Sequence, residues 1–568
     1  MVNSKSHKRI AIFQTLIVLA IVIIANAIGR NIYSYMDLTE DKMFSLTRST
    51  ERLVSGLEEV VYIDVLLGDD LPSGYKTLKN RVEELLKQLR AVNPNLEYEF
   101  KDPSKGTIAE SNSTKEKLAI DGIYPQTLFV IENDQKVEKL IYPYAIIKKG
   151  SRQIPINLLE PQGADGNQEV WLNRSATLLE YKFSNTLEKL FRTANPIVLF
   201  TKGNGELQNT ETATIEQEVG TTVTTGRIDL DSIYKIDREV DVLVVAGPTQ
   251  PLSERSKFII DQYVMNGGKV VWLVEPLAVN IDSINLRGMY VPRPTELGLD
   301  DMFFKYGVRI NNDLILDLNN SKIPQVIGQS GGKPQYELFP WVYYPLLQSG
   351  SEHPIVSKLD PVYSEFPGTI ELLEAKSEQN QTTLLTSSNN SRTQRYPMRL
   401  TFDAVRVEQR PQAYNKSNLP VAVMIEGSFE SFYKNRVSKE MEDGLAAIDE
   451  KFVEKSKPTT QVFISDVAIL RNYYNAATGQ ISNLGFNRWE GHVYPGNMEF
   501  AINLLDYLTD EYGLLEARSK TFQMRLLDRT RYKQESMKWQ LMNVLGPILL
   551  VILGGFFYNY FRRRKYSS

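Results

Sequence analysis

Two long apolar runs bracket a chain whose interior alternates in short strand-like and helix-like blocks. Ile10 to Gly29 (IAIFQTLIVLAIVIIANAIG) is uncharged over 20 residues, and Trp539 to Phe561 (WQLMNVLGPILLVILGGFFYNYF) over 23. As helices they reach about 30 and 35 Å, enough to cross a hydrocarbon layer about 30 Å thick. Trp539 at one end of the second run and Phe556, Phe557, Tyr558, Tyr560 and Phe561 at the other suit the two interfaces of a bilayer. After the first run, Thr47 is placed to cap a short helix through Leu53, Val54 and Leu57 that stops near Gly56. A strand at Val60–Leu67 follows, then a helix at Lys76–Val92 with Leu78, Val82, Leu85, Leu86 and Leu89 on one face, then a strand at Leu96–Phe100. Thr127–Glu132 and Lys139–Ile147 read as two further strands, and Trp171–Arg192 as a helix.

The order β-α-β, then proline-strand-turn-strand, resembles the thioredoxin fold, in which a cis proline precedes the third strand; the redox Cys-x-x-Cys pair is missing, and a generic α/β domain is the alternative reading of the same order. A second unit begins with buried-type strands at Pro196–Thr201, Asp241–Ala246 and Lys269–Val274. A helix from Ser253 to Met265 stands between the last two, as in a parallel sheet with right-handed crossovers. Leu314–Leu318, Thr383–Thr386, Val421–Glu426 and Gln461–Asp466 fit more strands, and Asn497–Leu508 a closing helix. Gln325–Gln335, Ser387–Gln394 and Lys434–Pro458 read as surface loops.

The expected fold class is therefore α/β. Two transmembrane helices flank an extracytoplasmic region made of a small thioredoxin-like unit and a larger parallel-sheet unit. The expected boundaries are a tail at 1–9, a transmembrane helix at 10–29, a juxtamembrane segment at 30–59 and a small α/β domain at 60–165. A connecting helix at 166–194, the larger α/β domain at 195–515, a basic juxtamembrane segment at 516–538, a second transmembrane helix at 539–561 and a basic tail at 562–568 complete the chain.

Charge sets the orientation. Lys5, Lys8 and Arg9 precede the first run, and Arg562, Arg563, Arg564 and Lys565 follow the second. The positive-inside rule places both tails in the cytoplasm of a bacterial inner membrane and the bulk of the chain in the periplasm. Arg525, Arg529, Arg531, Lys533 and Lys538 pull the other way, but the tetrabasic tail is denser and closer to its span. Ala25-Asn26-Ala27 also fits a signal-peptidase site, but the apolar run is long for a signal peptide and favours an uncleaved anchor.

The chain has 568 residues with 65 Lys+Arg against 69 Asp+Glu, a net charge of −4, which argues against a nucleic-acid partner. It has no cysteine, which removes disulfides, thiolate metal sites and cysteine nucleophiles, and only His7, His353 and His492 as histidines. No cofactor and no metal site are expected. Gly328-Gln329-Ser330-Gly331-Gly332 matches G-x-S-x-G, but Lys333-Pro334 follows where a nucleophile elbow needs a helix. Asp229-x-Asp231 and Glu83-Glu84 are isolated acidic pairs. Gly203, Asn204, Gly205 and Glu206 follow a buried strand without the rest of a phosphate-loop or dinucleotide fingerprint. Their place at the carboxyl end of a parallel strand, with Gly247 and Pro248 after the next, makes these six residues the candidate ligand cleft.

Several stretches together resemble one family, the auxiliary, nominally substrate-binding subunit of gliding-motility-associated ABC transporters (the GldG type). They are Leu38-Thr39-Glu40-Asp41-Lys42 and Phe44-Ser45-Leu46-Thr47, Gly203-Asn204-Gly205-Glu206-Leu207, Ala246 through Glu254, and Asp261 through Lys269. Pro495 through Phe500, Asp506 through Asp510 and Glu516 through Lys520 follow in order before the second apolar run. The resemblance implies a complex with an ABC permease and, through it, a cytoplasmic ATPase, serving cell-surface motility or export, with envelope or motility components as further partners. It implies that the second unit is similar to a class I glutamine amidotransferase-like sheet also present in a ciliary transport protein. Related families carry histidine where this chain has Asn204, and the amidotransferase cysteine has no counterpart here. The leading expectation is a noncatalytic extracytoplasmic subunit, in which Phe522–Lys538 relays motion. The alternatives are a ligand receptor with its cleft at Gly203–Glu206 and Gly247–Pro248, and a serine hydrolase using Ser330.

Overall fold

The structure, a computed structural model, describes residues 45–566 except 70, 106, 133–134, 161–167, 221, 375–377, 406–408, 511 and 520–528, together with Phe13, Leu16, Ile17, Ala20, Ile21 and Ile24. Those N-terminal residues are helical and exposed; the rest of Ile10–Gly29, and Leu38, Thr39, Glu40 and Asp41, lie outside the described residues. Two compact units result, Met1–Lys520 and Thr521–Ser568.

In the first unit, the Thr47 hydroxyl accepts from the Thr50 amide and starts α1 (Arg48–Ser55). β1 (Val61–Val65), α2 (Ser73–Val92), β2 (Leu96–Phe100) and α3 (Ile108–Ile120) follow. Next come β3 (Gln126–Glu132), β4 (Gln135–Ile141), β5 (Tyr144–Lys149) and β6 (Arg152–Asn157). A four-stranded sheet forms in the order β2-β1-β5-β6, with β1 parallel to β2 and β5 antiparallel to both β1 and β6. Leu78, Val82, Leu86 and Leu89 of α2 pack on Val61, Ile63 and Val65.

The expected strand Lys139–Ile147 is corrected: Tyr142-Pro143 divides it into β4 and β5, because proline offers no amide to a ladder. Thr127–Glu132, expected as the third strand of the sheet, pairs with β4 in a separate two-stranded hairpin instead. The expected cis proline is also absent from this place: the cis bond among the described residues is Tyr396–Pro397. The helix expected over Trp171–Arg192 is two helices, α4 (Gln168–Thr177) and α5 (Leu179–Phe191).

The larger part opens with β7 (Ile197–Lys202), α6 (Asn209–Val219), β8 (Thr224–Asp229), β9 (Val240–Ala246), α7 (Glu254–Met265) and β10 (Lys269–Leu273). The Ser253 hydroxyl caps α7 by accepting from the Ser256 amide at 3.1 Å. β11 (Asp313–Asp317), β12 (Asn320–Ser330), β13 (Lys333–Ser349), β14 (Gln379–Thr386), β15 (Ser391–Arg395) and β16 (Pro420–Gly427) come next. α8 (Lys439–Ala447), β17 (Thr459–Ile464) and α9 (Gly496–Thr509) close it. The main sheet runs β12-β13-β14-β16-β17-β10-β9-β7-β8. Val244 and Ala246 of β9 face α9 (Phe500, Leu504), while Leu243 and Val245 face α7 (Ile260, Val264).

The expected parallel sheet is present in part. The run from β8 to β17 is parallel, but β16, β14, β13 and β12 continue it antiparallel. β16 and β17 are buried along nearly their whole length, and a strand covered on both faces shows no alternation that would report its direction.

The expected loops are also partly regular. Gln325–Gln335 forms the far end of the β12–β13 hairpin, where Gln325 faces Glu337, Val326 faces Tyr336 and Ser330 faces Lys333. Gly331 (φ 60°) and Gly332 (φ 78°) make its two-residue turn, the backbone geometry that matches strand twist. Ser387–Gln394 contributes β15, paired antiparallel with β11, and Lys434–Pro458 contains α8, capped by Ser438.

The second unit contains one described helix, α10 (Arg529–Tyr566), interrupted in composition by Pro547. Its stretch Met537–Phe561 has 25 residues, with a mean hydropathy of 2.0 over its most apolar 18, and it is the one helix among the described residues long and apolar enough to cross a membrane.

Candidate functional site

Each parallel strand delivers a loop to the same edge of the sheet, and two of these loops carry the six predicted cleft residues. After β7, Gly203 (φ 115°) and Gly205 (φ 79°) turn the chain so that the Asn204 carbonyl accepts from the amides of Thr249 and Gln250, both at 3.0 Å. The Asn204 side chain donates to the Pro251 carbonyl at 3.0 Å, and its amide donates to a Glu206 carboxylate oxygen at 2.7 Å. Leu207 donates to the Ala246 carbonyl at 2.9 Å, which ties this loop to the end of β9. Beyond β9, the Gly247 amide donates to the Leu273 carbonyl at 3.0 Å, and a Cβ at Gly247 would lie 2.8 Å from a Val467 methyl. Sequence placement thus brings Gly203–Glu206 and Gly247–Pro248 together, but they satisfy one another's polar groups. The glycines are there for close approach of backbone.

The nearby opening is a cavity of about 510 Å³ that starts at Gln208 and extends over the ends of β10 and β17. Glu275, two residues beyond β10, lines it. Asp466, two residues beyond β17, lies beneath it and is fully buried; its oxygens accept from the amides of Glu365 (2.7 Å) and Ala468 (2.8 Å). Those bonds aim the Glu365 side chain, which accepts from Arg471 Nη2 at 3.1 Å and from the Tyr363 hydroxyl at 2.8 Å. Tyr344 packs edge-on against Tyr363 and Phe366 with ring centres 5.8 and 5.1 Å apart, and Tyr473 lies 5.9 Å from Phe486. Arg488 pairs with Asp282 at 2.9 Å and lies over Trp489.

Burial pushes the Asp466 carboxyl well above the usual carboxylate range, and the neighbouring Glu275 adds to the rise while the two amides oppose it. Burial likewise raises Glu275; Arg471 counteracts and Glu365 reinforces. Burial works against the Arg471 charge, but Glu365, Glu275 and Asp466 outweigh it and keep the guanidinium protonated.

The other candidates lie elsewhere. Ser330 ends β12 and is followed by the Gly331-Gly332 turn and a return strand, not by the helix that an elbow requires. His353 is packed edge-on to Tyr507 at 4.8 Å, and its Nδ1 accepts from the Ile355 amide; His492 rests against Tyr494 at 4.7 Å. Asp229 caps a short turn, Asp231 accepts from Ser253 and Ser256, and Glu83 and Glu84 pair with Lys87 and Arg81 on α2. The sequence reading passed over Glu275, Glu365, Asp466 and Arg471. The available signal was a carboxylate just past a buried strand, in KVVWLVE and QVFISD.

Comparison with known proteins adds the following. A family described as an ABC-type uncharacterized transport system matches residues 195–504, and a domain of unknown function (DUF7088) matches residues 40–148. An uncharacterized protein of Borreliella burgdorferi is 22% identical over 420 residues, covering 71% of this chain and 75% of that protein. Among solved structures, the mmIFT52 N-terminal domain is 11% identical at a TM-score of 0.30, covering 55% of this chain and 97% of that one. A ThuA-like protein from Parabacteroides merdae is 10% identical at a TM-score of 0.26, covering 56% and 91%. Likenesses that weak carry no argument about this chain. The family match spans more than half of the 568 residues, and the chain belongs to the family of ABC-type uncharacterized transport system auxiliary components.

Proposed function

We propose that the protein is a noncatalytic, membrane-anchored extracytoplasmic subunit of an ABC transporter-type complex, associated with gliding motility or cell-surface export. The observation that carries this is the family match over residues 195–504 on a chain that also holds the apolar helix Met537–Phe561. Coupling of this kind needs no reacting residue; it needs a partner that binds two conformations with different affinity. The partners are an ABC permease in the bilayer and, through it, a cytoplasmic ATPase, with envelope or motility components outside. Both termini are cytoplasmic, with spans at 10–29 and 539–561 and the α/β domains at 60–165 and 195–515 in the periplasm. The strand order β2-β1-β5-β6, with β5 reversed, supports a thioredoxin-like small domain without redox chemistry. The parallel run β8-β7-β9-β10-β17 supports an amidotransferase-like core without its nucleophile. Motility rests on the resemblance carried by the sequence motifs.

The test is copurification of the full chain after mild detergent extraction. Recovery of a permease and an ATPase is the expected result; recovery of neither overturns the proposal. Reporter fusions at the two ends check the topology, which fails if they lie on opposite faces.

A further inference from the structure

The cavity over β10 and β17 has an excess of negative charge and one carboxylate with no protein donor. Four acidic side chains line it, Glu211, Glu275, Asp282 and Glu365, against two arginines, Arg471 and Arg488. Three of those carboxylates are already satisfied. Glu211 accepts from the Gln208 amide at 2.9 Å, Asp282 from Arg488 at 2.9 Å, and Glu365 from both Arg471 and Tyr363. Each arginine is thereby already paired with one carboxylate, and four acidic side chains against two arginines leave the lining with the negative excess. Glu275 is in the Coulomb field of Arg471 but takes no hydrogen bond from any described residue, and it is partly exposed to the cavity. A carboxylate withdrawn from bulk water without a donor is unfavourable, and a protonated amine would supply both donor and counter-charge. The walls supply the second element. Tyr344, Tyr363, Phe366, Tyr473 and Phe486 border the same space, and aromatic faces attract organic cations. Phe366 holds a left-handed backbone (φ 57°), a conformation unfavourable for a bulky residue that the surrounding contacts impose.

We propose that this cavity binds an organic cation, its ammonium group paired with Glu275 and its body held against the Tyr344–Phe366 and Tyr473–Phe486 aromatic walls. The site is distinct from the Gly203–Glu206 and Gly247–Pro248 loops and does not depend on the transporter reading.

The experiment uses the full chain in detergent micelles, with tyramine and choline as cationic probes, 4-ethylphenol as the neutral counterpart of tyramine, and cellobiose as a carbohydrate. Isothermal titration calorimetry should show saturable binding of tyramine, at least about tenfold tighter than 4-ethylphenol. Glu275→Gln should weaken that binding by about tenfold or more, and the neutral probe's response should be unchanged. Because Glu365 and Asp466 oppose the ionisation of Glu275 while Arg471 favours it, the cation should bind more weakly at mildly acidic pH than at neutral pH. Absence of binding by both cations, equal binding of tyramine and 4-ethylphenol, preference for cellobiose, or an unchanged affinity in Glu275→Gln overturns the proposal. The comparison of tyramine with 4-ethylphenol on the unmodified chain decides the matter even where the variant does not fold.

Discussion

At the scale of single residues, the chain separates groups that hold the fold from one that does not. Asp466 accepts two backbone amides and starts the turn Val467–Leu470, so it is structural despite its raised carboxyl. Asp466→Asn leaves one amide facing an NH₂ group, and chemical denaturation should show a loss of about 1–3 kcal/mol. Glu275→Gln should do the opposite. The Glu275 carboxyl is raised on folding by burial, with Arg471 working against the rise, so its ionised form costs stability. That cost is absent below the unfolded pKa, grows as pH rises through the folded one, and is fully present above it. Without ligand, the variant should therefore be more stable at neutral pH by about 1 kcal/mol, the gain vanishing in acid. An equal gain at every pH would show that ionisation is not the cause. Gly247 illustrates the steric kind of constraint. With φ at 70° and Val467 methyls 2.8 Å from an added Cβ, Gly247→Ala should cost about 2–4 kcal/mol in thermal unfolding.

At the scale of elements, α4 and α5 are joined to α9 by buried and partly buried polar contacts. Arg174 of α4 pairs with Asp360 at 3.0 Å and with Glu499 of α9 at 3.1 Å. Asp506 of α9 accepts from Tyr181 (2.8 Å), Asn185 (3.0 Å) and Lys189 (3.0 Å), all on α5. Burial alone would raise Asp506, but Lys189, with Tyr181 and Asn185, outweighs it and holds the carboxyl below the usual range. Its contribution is therefore present above the unfolded pKa, near 4, and lost as pH falls through the depressed folded value. Asp506→Asn, which strands Lys189, should cost about 2–4 kcal/mol at neutral pH and progressively less in acid. A cost that did not change with pH would point to packing alone. The far end of the β12–β13 hairpin is the opposite case. Val326, Ile327, Tyr336 and Leu338 are exposed there, and Ser330 sits at the turn. Ser330→Ala should leave unfolding temperature and cellular phenotype unchanged; loss of function in a normally folded variant would restore the hydrolase alternative.

At the scale of the whole molecule, one family spans residues 195–504 and one described helix can span a membrane. The two compact units divide at Lys520, between the folded α/β region and the apolar helix. If the anchoring reading holds, alkaline carbonate should leave the full chain in the membrane pellet. Protease added to spheroplasts should then digest the α/β region and spare the tails; protection of that region would reverse the orientation.

Local chemistry alone determined a good part of this protein. The capping hydroxyls of Thr47 and Ser253, the strands β7, β9 and β10, and the apolar helix near the C-terminus follow from residue type and period, because each depends on neighbours a few positions away. The meeting of the Gly203 and Gly247 loops was legible for a similar reason, since parallel strands deliver their carboxyl ends to one edge. Strand direction was not legible. β16 and β17 are buried on both faces, and only pairing across the sheet made them antiparallel. Nor was the hairpin of β12 and β13, whose prolines and glycines read as loop until long-range pairing supplied their register. The cavity belongs wholly to tertiary structure. Glu275, Glu365 and the neighbouring Asp466 and Arg471 come from three distant parts of the chain, and only folding converts four ordinary charged residues into three paired groups and one carboxylate without a donor.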